Sequence, residues 1–246
     1  MDSNTLSLAE KKWLLSPSTG GIELLNVTLF ELILRKGLRL KKTETNNSQI
    51  YQNGFLKINK QWPFFQENIV FAFIQSTFDS LPQLQLSRYL KLAKSRLNND
   101  FENFKEEYVL KSLVDQHGFI ETGILSWITK KVCLTRKGEI YQKELIEKLH
   151  RQQKILSDGE LNPQLLQEMG PDVLLLGHNT LQKLKTEQLY TALIEEAGML
   201  MDVEILSDFS DFFTGLTHEL YREIEGLSGN GDTNVLDSIL PDFDIL

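Results

Sequence analysis

Clusters of basic side chains are the residues in this sequence whose type and spacing best suit a chemical task, and that task is anion binding. Each Lys or Arg close to an anionic membrane contributes on the order of 1 kcal/mol. The clusters predict an anion-binding face if they lie together, whereas clusters spread around the molecule would be ordinary solvated surface. The first comprises Arg35, Lys36, Arg39, Lys41 and Lys42, the second Arg88, Lys91, Lys94 and Arg96, and the third Lys130, Lys131, Arg136 and Lys137.

Spacings typical of catalytic or metal sites do not occur in the sequence. The histidines, His117, His150, His178 and His218, are scattered, and Cys133 is the single cysteine. A zinc site needs several such ligands at short spacing, so no metal is predicted. Neither a G-x-S-x-G elbow nor a Walker-type glycine–lysine loop is present. We therefore expect no catalytic residues, no cofactor and no enzymatic activity.

The net charge of −8 conceals an asymmetry along the chain. Residues 1–154 carry 23 Lys and Arg against 16 Asp and Glu, whereas residues 155–246 carry 3 against 18. This split predicts that one part meets anions while the other repels or mimics them. Docking of the two parts within one chain would explain the split equally well.

Composition and termini indicate the class of protein. A chain of 246 residues is long enough for one large or two small domains. The opening residues, MDSNTLSLAEKKW, show no secretory signal, and the apolar runs are too short to span a bilayer. A lone cysteine fits a reducing compartment, and we expect Cys133 to be a small buried hydrophobe on a hairpin strand. These features predict a soluble, cytoplasmic protein.

The stretch from Phe104 to Leu149 predicts a helix, a hairpin and a second helix in that order. Apolar residues recur at helical spacing before Gly118, which stands where a residue in the left-handed conformation would end the helix. The β-branched and apolar residues that follow are typical of a hairpin. Thr135 is placed to accept a hydrogen bond from a free amide at the start of the next helix. The order resembles half of a winged helix.

The chain before this unit reads as helices with one small sheet. We expect a short helix over Leu6–Leu15, an amphipathic helix from Leu24 to Leu34, and a half-buried strand with a basic outer face at Leu38–Lys41. Asn53-Gly54 predicts a two-residue hairpin turn leading into a strand at residues 55–58. A central apolar helix opens at Pro63 and runs through Phe78, and another helix spans residues 84–97.

The predicted fold is mainly α with small β-hairpins. Residues 1–198 form a compact, mainly helical domain that contains the winged-helix-like unit at residues 104–149. Residues 199–246 form an acidic amphipathic helix and a flexible tail of mixed acidic and apolar composition. Asp202, Glu204, Asp208 and Asp211 could form a metal cluster, but we predict an acidic outer helix face. In the tail, docking on the same chain or on a partner is predicted for Leu236, Ile239, Leu240 and Phe243.

Four stretches together resemble the Golgi phosphoprotein 3-like family over roughly residues 5–198. They are the opening SLAEKKWLLSPSTGGIELL, the helix end and basic strand LRKGLRLKK, the helix pair at residues 64–80 and 84–96, and the unit at residues 104–149, followed by a helix near residues 181–197. The resemblance implies a mostly helical fold with small hairpins. Eukaryotic members are peripheral membrane proteins that bind phosphatidylinositol 4-phosphate and link Golgi membranes to partner proteins.

The residues that hold the lipid headgroup in that family do not recur here. The family uses a Trp and an Arg near the start of the first long helix, where this chain reads Gly21-Ile22-Glu23-Leu24-Leu25-Asn26. It uses further Arg residues before the glycine turn, where this chain reads Phe104-Lys105-Glu106-Glu107-Tyr108. A carboxylate cannot replace a guanidinium that faces phosphate. The resemblance therefore implies the fold, with the lipid function lost or altered.

Two classes of function follow. One is a non-catalytic adaptor that binds an anionic membrane surface or a protein partner, and it requires a basic face formed by the first two clusters, away from the hairpin. The other is a winged-helix regulator that contacts the DNA backbone with the third cluster and is masked by the acidic C-terminal part. Acids before the hairpin oppose the second class because they would repel phosphates; they are Glu102, Glu106, Glu107 and Asp115.

Overall fold

The protein is mainly helical, with a three-stranded and a two-stranded antiparallel sheet. The structure is a computed structural model and describes residues 6–35, 37–41, 55–58, 67–78, 81–121, 132–157 and 170–176. The predicted boundary at residue 198, the acidic helix and the C-terminal tail lie outside these ranges. Within them, no helix is long and apolar enough to cross a membrane.

Helix α1 (Leu8–Leu15) begins at a complete capping box. The Ser7 side chain accepts a hydrogen bond from the Glu10 amide at 3.3 Å, and the Glu10 side chain accepts one from the Ser7 amide at 2.6 Å. Two free amides of the first turn are thereby satisfied. The helix is buried from Leu8 to Leu14, charged residues included. The short helix predicted here is confirmed.

Helix α2 (Gly21–Leu34) is the centre of the core rather than the amphipathic helix that was predicted. Every residue from Leu24 to Ile33 is buried, because α1, α3, the first strand and the helical stretch after Phe101 all pack against it. A helix that is covered on all sides shows no polar face. The amphipathic interpretation was therefore wrong, although the position of the helix was right.

Strands β1 (Leu38–Lys41), β2 (Phe55–Ile58) and β3 (Gln83–Gln85) form the larger sheet in that order. Both pairings are antiparallel, and they place Arg39 opposite Lys57 and Leu56 opposite Leu84. The strands predicted at residues 38–41 and 55–58 are confirmed, while the Asn53-Gly54 turn lies outside the described residues. Side chains alternate between faces along a strand, so one face carries leucines into the core.

Helices α3 (Ile69–Phe78) and α4 (Leu86–Arg96) flank the sheet. The predicted central helix is confirmed from Ile69, and its expected start at Pro63 lies outside the described residues. The helix expected from residue 84 begins two residues later, because residues 83–85 are hydrogen-bonded to β2 as a strand. Asn98 and Asn99 then take positive φ values of 54° and 65° and end α4.

One continuous helical stretch follows, made of α5 (Glu102–Phe104), a π-helical segment (Lys105–Leu110) and α6 (Lys111–Asp115). The π-helical segment was not predicted. Gly118 has a φ of +63°, and the next amide, of Phe119, donates to the Leu113 carbonyl at 2.8 Å. The predicted left-handed stop at Gly118 is therefore confirmed.

The strands β4 (Ile120–Glu121) and β5 (Cys133–Leu134) pair next, and α7 (Arg136–Ser157) follows. The Thr135 hydroxyl accepts a hydrogen bond from the Gly138 amide at 3.1 Å, as the predicted cap requires. The order of helix, strand pair and helix is confirmed. Cys133 lies on a strand as expected, but it is exposed rather than buried. The strand is at the surface, so the burial prediction was wrong.

The first residue of α2, Gly21, lies directly against the backbone at Phe101 and Glu102. The Gly21 amide donates to the Glu102 Oε1 atom at 2.6 Å. A Cβ atom added at Gly21 would lie 2.0 Å from the Phe101 carbonyl oxygen. Real Cβ atoms do not approach backbone so closely, so α2 and the Phe101–Glu102 backbone meet at a distance that only glycine permits.

We expect Gly21→Ala to destabilise the protein strongly. The added methyl must displace backbone, and overpacking of this kind costs about 3 kcal/mol or more in the free energy of unfolding. Gly118→Ala is the matched control, because nothing lies within 4 Å of its added Cβ and only the positive φ is strained, which costs about 1–2 kcal/mol. Urea unfolding measures both values. A loss at Gly21 no larger than that at Gly118 would contradict the close packing.

Candidate functional site

A fully buried carboxylate, Glu10, joins four parts of the chain. Its Oε2 atom accepts hydrogen bonds from the Ser7 hydroxyl at 2.7 Å and from the Asn68 side-chain amide at 3.4 Å. Its Oε1 atom accepts one from the Ser112 hydroxyl at 2.6 Å and lies 3.1 Å from His117 Nε2. These partners come from the start of α1, the start of α3, α6 and the turn that follows α6.

Both oxygens of the Glu10 carboxylate are engaged by these partners, and this limits the chemistry that the carboxylate can perform. Burial raises the pKa of Glu10, but the hydrogen bonds from His117, Ser112 and Ser7 outweigh burial and hold that pKa below its ordinary value. The Ser112 hydroxyl donates to the carboxylate and does not contact the imidazole as a nucleophile would. The cluster contains the residue types of a hydrolase site, but its geometry is that of an internal clamp.

A second buried carboxylate, Glu31 on α2, faces one of the predicted anion-binding residues. Its Oε2 atom accepts from the Leu8 amide at 2.6 Å and its Oε1 atom accepts from Arg35 Nε at 2.9 Å. Burial raises the pKa of Glu31 to about 7, although Arg35 and the Leu8 amide act in the opposite direction. Arg35 is therefore half-buried and paired with Glu31, and its predicted role in anion binding stays a prediction.

A third carboxylate, Asp172, fastens the 3-10 helix (Gly170–Leu175) to the core. Its two oxygens accept hydrogen bonds from Lys11 Nζ at 2.5 Å and from Lys148 Nζ at 2.8 Å. Burial raises the pKa of Asp172, but Lys11 first and Lys148 second outweigh burial, so the pKa is lowered. Asp172 thereby links α1, α7 and the last described segment of the chain.

The exposed face of the larger sheet is basic. Lys57 is exposed in the centre of β2, whereas its neighbour Leu56 is almost fully buried, as are Leu38 and Leu84 on the flanking strands. The backbone register places Arg39 opposite Lys57 and Lys41 opposite Phe55. The sequence analysis did not single out Lys57. Lys57 is the one charged residue in the apolar run Phe55–Ile58, and this could have indicated that it lies on the exposed face of the strand.

Helix α4 contacts both β2 and β3, so its basic residues lie on an element next to the sheet. Its inner face is buried through Tyr89, Leu90 and Ala93. Arg88, Lys91 and Arg96 are exposed, and Lys94 is half-buried with Nζ 6.0 Å from the centre of the Phe101 ring. We call β1, β2, β3 and α4 together the basic unit. It carries seven Lys and Arg and no Asp or Glu.

The structure brings together members of the first two predicted clusters and separates the third from them. In the third, Lys137 Nζ donates to the His117 carbonyl at 2.8 Å and lies 5.1 Å from the centre of the Phe119 ring, while Arg136 is exposed. Glu106, Glu107 and Asp115 are exposed on the preceding helical stretch. Outside the described residues lie Lys36, Lys42, Lys130, Lys131, Leu236, Ile239, Leu240 and Phe243.

A metal cluster is not found in the described part of the chain. No group of three or more His, Cys, Asp or Glu residues there could hold a metal ion. A small apolar pocket opens where α7 meets the 3-10 helix, lined mainly by leucines. Comparison with protein-family models, with curated proteins and with solved structures gives no match. The Golgi phosphoprotein 3-like resemblance thus stays a prediction.

The raised pKa of Glu31 predicts that Glu31→Gln gains stability relative to the wild type as pH rises. The folded-state pKa of about 7 lies above the ordinary 4.5, so wild-type stabilisation from the protonated form is complete below pH 4.5 and is lost as pH rises to 7. Glutamine stays neutral throughout. We expect the difference in unfolding free energy, variant minus wild type, to grow by about 3 kcal/mol between pH 4.5 and 8.

Urea titrations at five pH values measure this difference. Glutamine alters the contact with Arg35 at every pH, so only the pH dependence reports the carboxylate. Glu106→Gln, at an exposed glutamate, controls for the substitution itself. A Glu31→Gln difference that stays constant with pH would show that the pKa of Glu31 in the fold is not raised above its ordinary value.

Proposed function

We propose that this chain is a non-catalytic cytoplasmic adaptor that binds anionic membrane surfaces through the basic unit. The observation that carries the proposal is the grouping of seven basic residues, with no acid, on contacting elements of one small region. A positive patch without internal acids produces a field that attracts polyanions. Lys57 and Arg88 are exposed members of the patch and are available to an extended anionic surface.

Three buried carboxylates support the proposal because none of them is paired with a residue of the basic unit. Glu10, Glu31 and Asp172 are each buried against partners from the core. The basic side chains that these acids consume are Arg35, Lys11 and Lys148, none of which belongs to the basic unit. The attraction that the unit exerts on an anion is therefore not cancelled by a neighbouring acid on its own elements.

In this proposal the chain shares the fold of the Golgi phosphoprotein 3-like family, which it resembles, but binds anions at a different site. Gly21, in the first stretch that differs from the family's headgroup residues, contacts Glu102, two residues before the second stretch. The Glu102 carboxylate accepts the hydrogen bond of the Gly21 amide at 2.6 Å, at the N-terminus of α2, and also pairs with Lys105. An acid in that position excludes a phosphate by repulsion. We propose binding that depends on surface charge and not on a headgroup pocket.

A winged-helix regulator is the second candidate, favoured by one observation. The β4–β5 pair leads directly into α7 through the Thr135 cap, and Arg136 is exposed at its start. The exposed acids Glu106, Glu107 and Asp115 on the helical stretch before the hairpin work against it, because they would face phosphates. Binding of a labelled DNA duplex by the full-length chain, measured by fluorescence anisotropy, separates this candidate from the adaptor.

The adaptor proposal predicts salt-sensitive binding of the full-length protein to vesicles that contain phosphatidylserine, and none to phosphatidylcholine alone. We expect Lys57→Glu/Arg88→Glu to weaken the binding by roughly thirtyfold, since two near-surface charges contribute about 2 kcal/mol. Lys111→Glu/Lys143→Glu is the matched control, with the same change in net charge at exposed positions of α6 and α7. Co-sedimentation measures the partition coefficients.

Three outcomes decide the proposal. Equal losses in both double variants would show an effect of net charge alone and contradict the assignment to the basic unit. No pelleting of the wild type would remove the membrane as the partner. Vesicles with phosphatidylinositol 4-phosphate, matched in total charge to the phosphatidylserine vesicles, should bind no more tightly, and a clear preference for them would contradict the absence of a headgroup pocket.

A further inference from the structure

A preformed apolar pocket lies on the side of the molecule where the described chain ends. Ile146, Leu149 and Gln153 of α7 form one wall, Leu15 at the end of α1 forms another, and Leu175 and Leu176 close the third. Leu149, Leu175 and Leu176 are buried, while Ile146 and Leu15 are only half-buried and border the opening. The pocket is small, about 30 Å³, and partly open, so it suits the tip of a single apolar side chain.

The walls of this pocket are fixed by polar contacts behind them. Asp172 ties the 3-10 helix to Lys11 of α1 and to Lys148 of α7. Gln142 of α7 donates from Nε2 to the carbonyl of Leu14, the residue before the α1 wall. These contacts hold three separate elements at set distances, so the pocket does not need a ligand in order to form.

We propose that this pocket receives an apolar side chain of the C-terminal segment at residues 236–243 of the same chain. The sequence spaces Ile239 and Leu240 three and four positions after Leu236, the spacing at which side chains share one face of a helix. Phe243 adds a fourth apolar side chain just beyond. Such closely spaced anchors suit a short apolar groove.

The position where the described chain ends supports an occupant from the same polypeptide. Leu176 is part of the pocket wall, so the remaining residues, 177–246, leave from its rim. The cost of closing a long loop grows only slowly with its length. The intervening chain therefore does not prevent the segment from returning to the pocket beside which it starts.

Charge complementarity supports the same occupant. After Glu147, helix α7 carries Lys148, Arg151 and Lys154 and no acid. The C-terminal residues 232–246 carry only acids among their charged side chains, at Asp232, Asp237, Asp242 and Asp244. A basic helix end beside the pocket would steer an acidic segment toward it and orient the apolar anchors. This docking does not depend on the binding of anionic membranes proposed above.

The experiment uses the full-length chain with a nitroxide label placed next to the anchors. Ser238→Cys in a Cys133→Ser background gives one labelled position. Methyl resonances of the pocket, from Ile146, Leu149 and Leu175, are then compared between the oxidised and reduced label. We expect the pocket methyls to lose intensity with the oxidised label, while methyls of Ile74 in α3 keep theirs.

Two variants make the result specific. Ile146→Glu places an acid in the pocket wall and should abolish the intensity loss at Leu149 and Leu175, whereas Ile140→Glu, on the same helix but exposed and outside the pocket, should leave it intact. Leu240→Asp tests the segment itself without touching the folded walls and should also abolish the loss. No intensity loss in the parent chain, or a loss that survives both Ile146→Glu and Leu240→Asp, would overturn the proposal.

A mixed sample distinguishes the same chain from a second copy. Labelled protein without isotopes is combined with isotope-enriched protein that carries no label. Intensity loss confined to molecules that carry their own label supports docking within the chain. Loss of equal size in the mixed sample would assign the segment to another copy and overturn the intrachain assignment.

Discussion

The buried carboxylate of Glu10 is the constraint on which the arrangement of the core depends. An ionised group without solvent is stable only if its partners surround it, and those partners here are Ser7, Asn68, Ser112 and His117. They are separated from Glu10 by between 3 and 107 positions in the chain. The charge therefore fixes α1, the start of α3 and the end of α6 relative to one another, in a way that apolar packing alone would specify less sharply.

The other inward-facing acids extend this design to the remaining elements. Glu31 holds the start of α1 against α2, Asp172 holds the 3-10 helix against α1 and α7, and Glu102 meets the first amide of α2. Each carboxylate joins segments distant in sequence, so acids serve as internal fasteners. Lys57 of the sheet and Arg88, Lys91 and Arg96 of α4 are exposed, so these charges face the solvent although the net charge of the chain is −8.

Features set by neighbouring residues could be predicted from the sequence, and features set by distant residues could not. The stop at Gly118, the cap at Thr135 and the alternation in β1 each depend on a few adjacent positions. Strand β3 was missed because three residues become a strand only through pairing with β2. The pairing of Arg35 depends on the burial of Glu31, and the approach of Glu102 to Gly21 and of Ser112 and His117 to Glu10 likewise follows from tertiary packing.

Because α1 is short, its folding depends on partners, some of which are synthesised much later. A helix of eight residues is unstable by itself in water, so its conformation is supplied by the partners that enclose it. Ser112 and His117, which complete the Glu10 cluster, and Asp172, which holds Lys11, leave the ribosome long after α1 does. Helix α1 can therefore meet α2 early through Glu31, but its remaining partners reach it only after the middle of the chain has emerged.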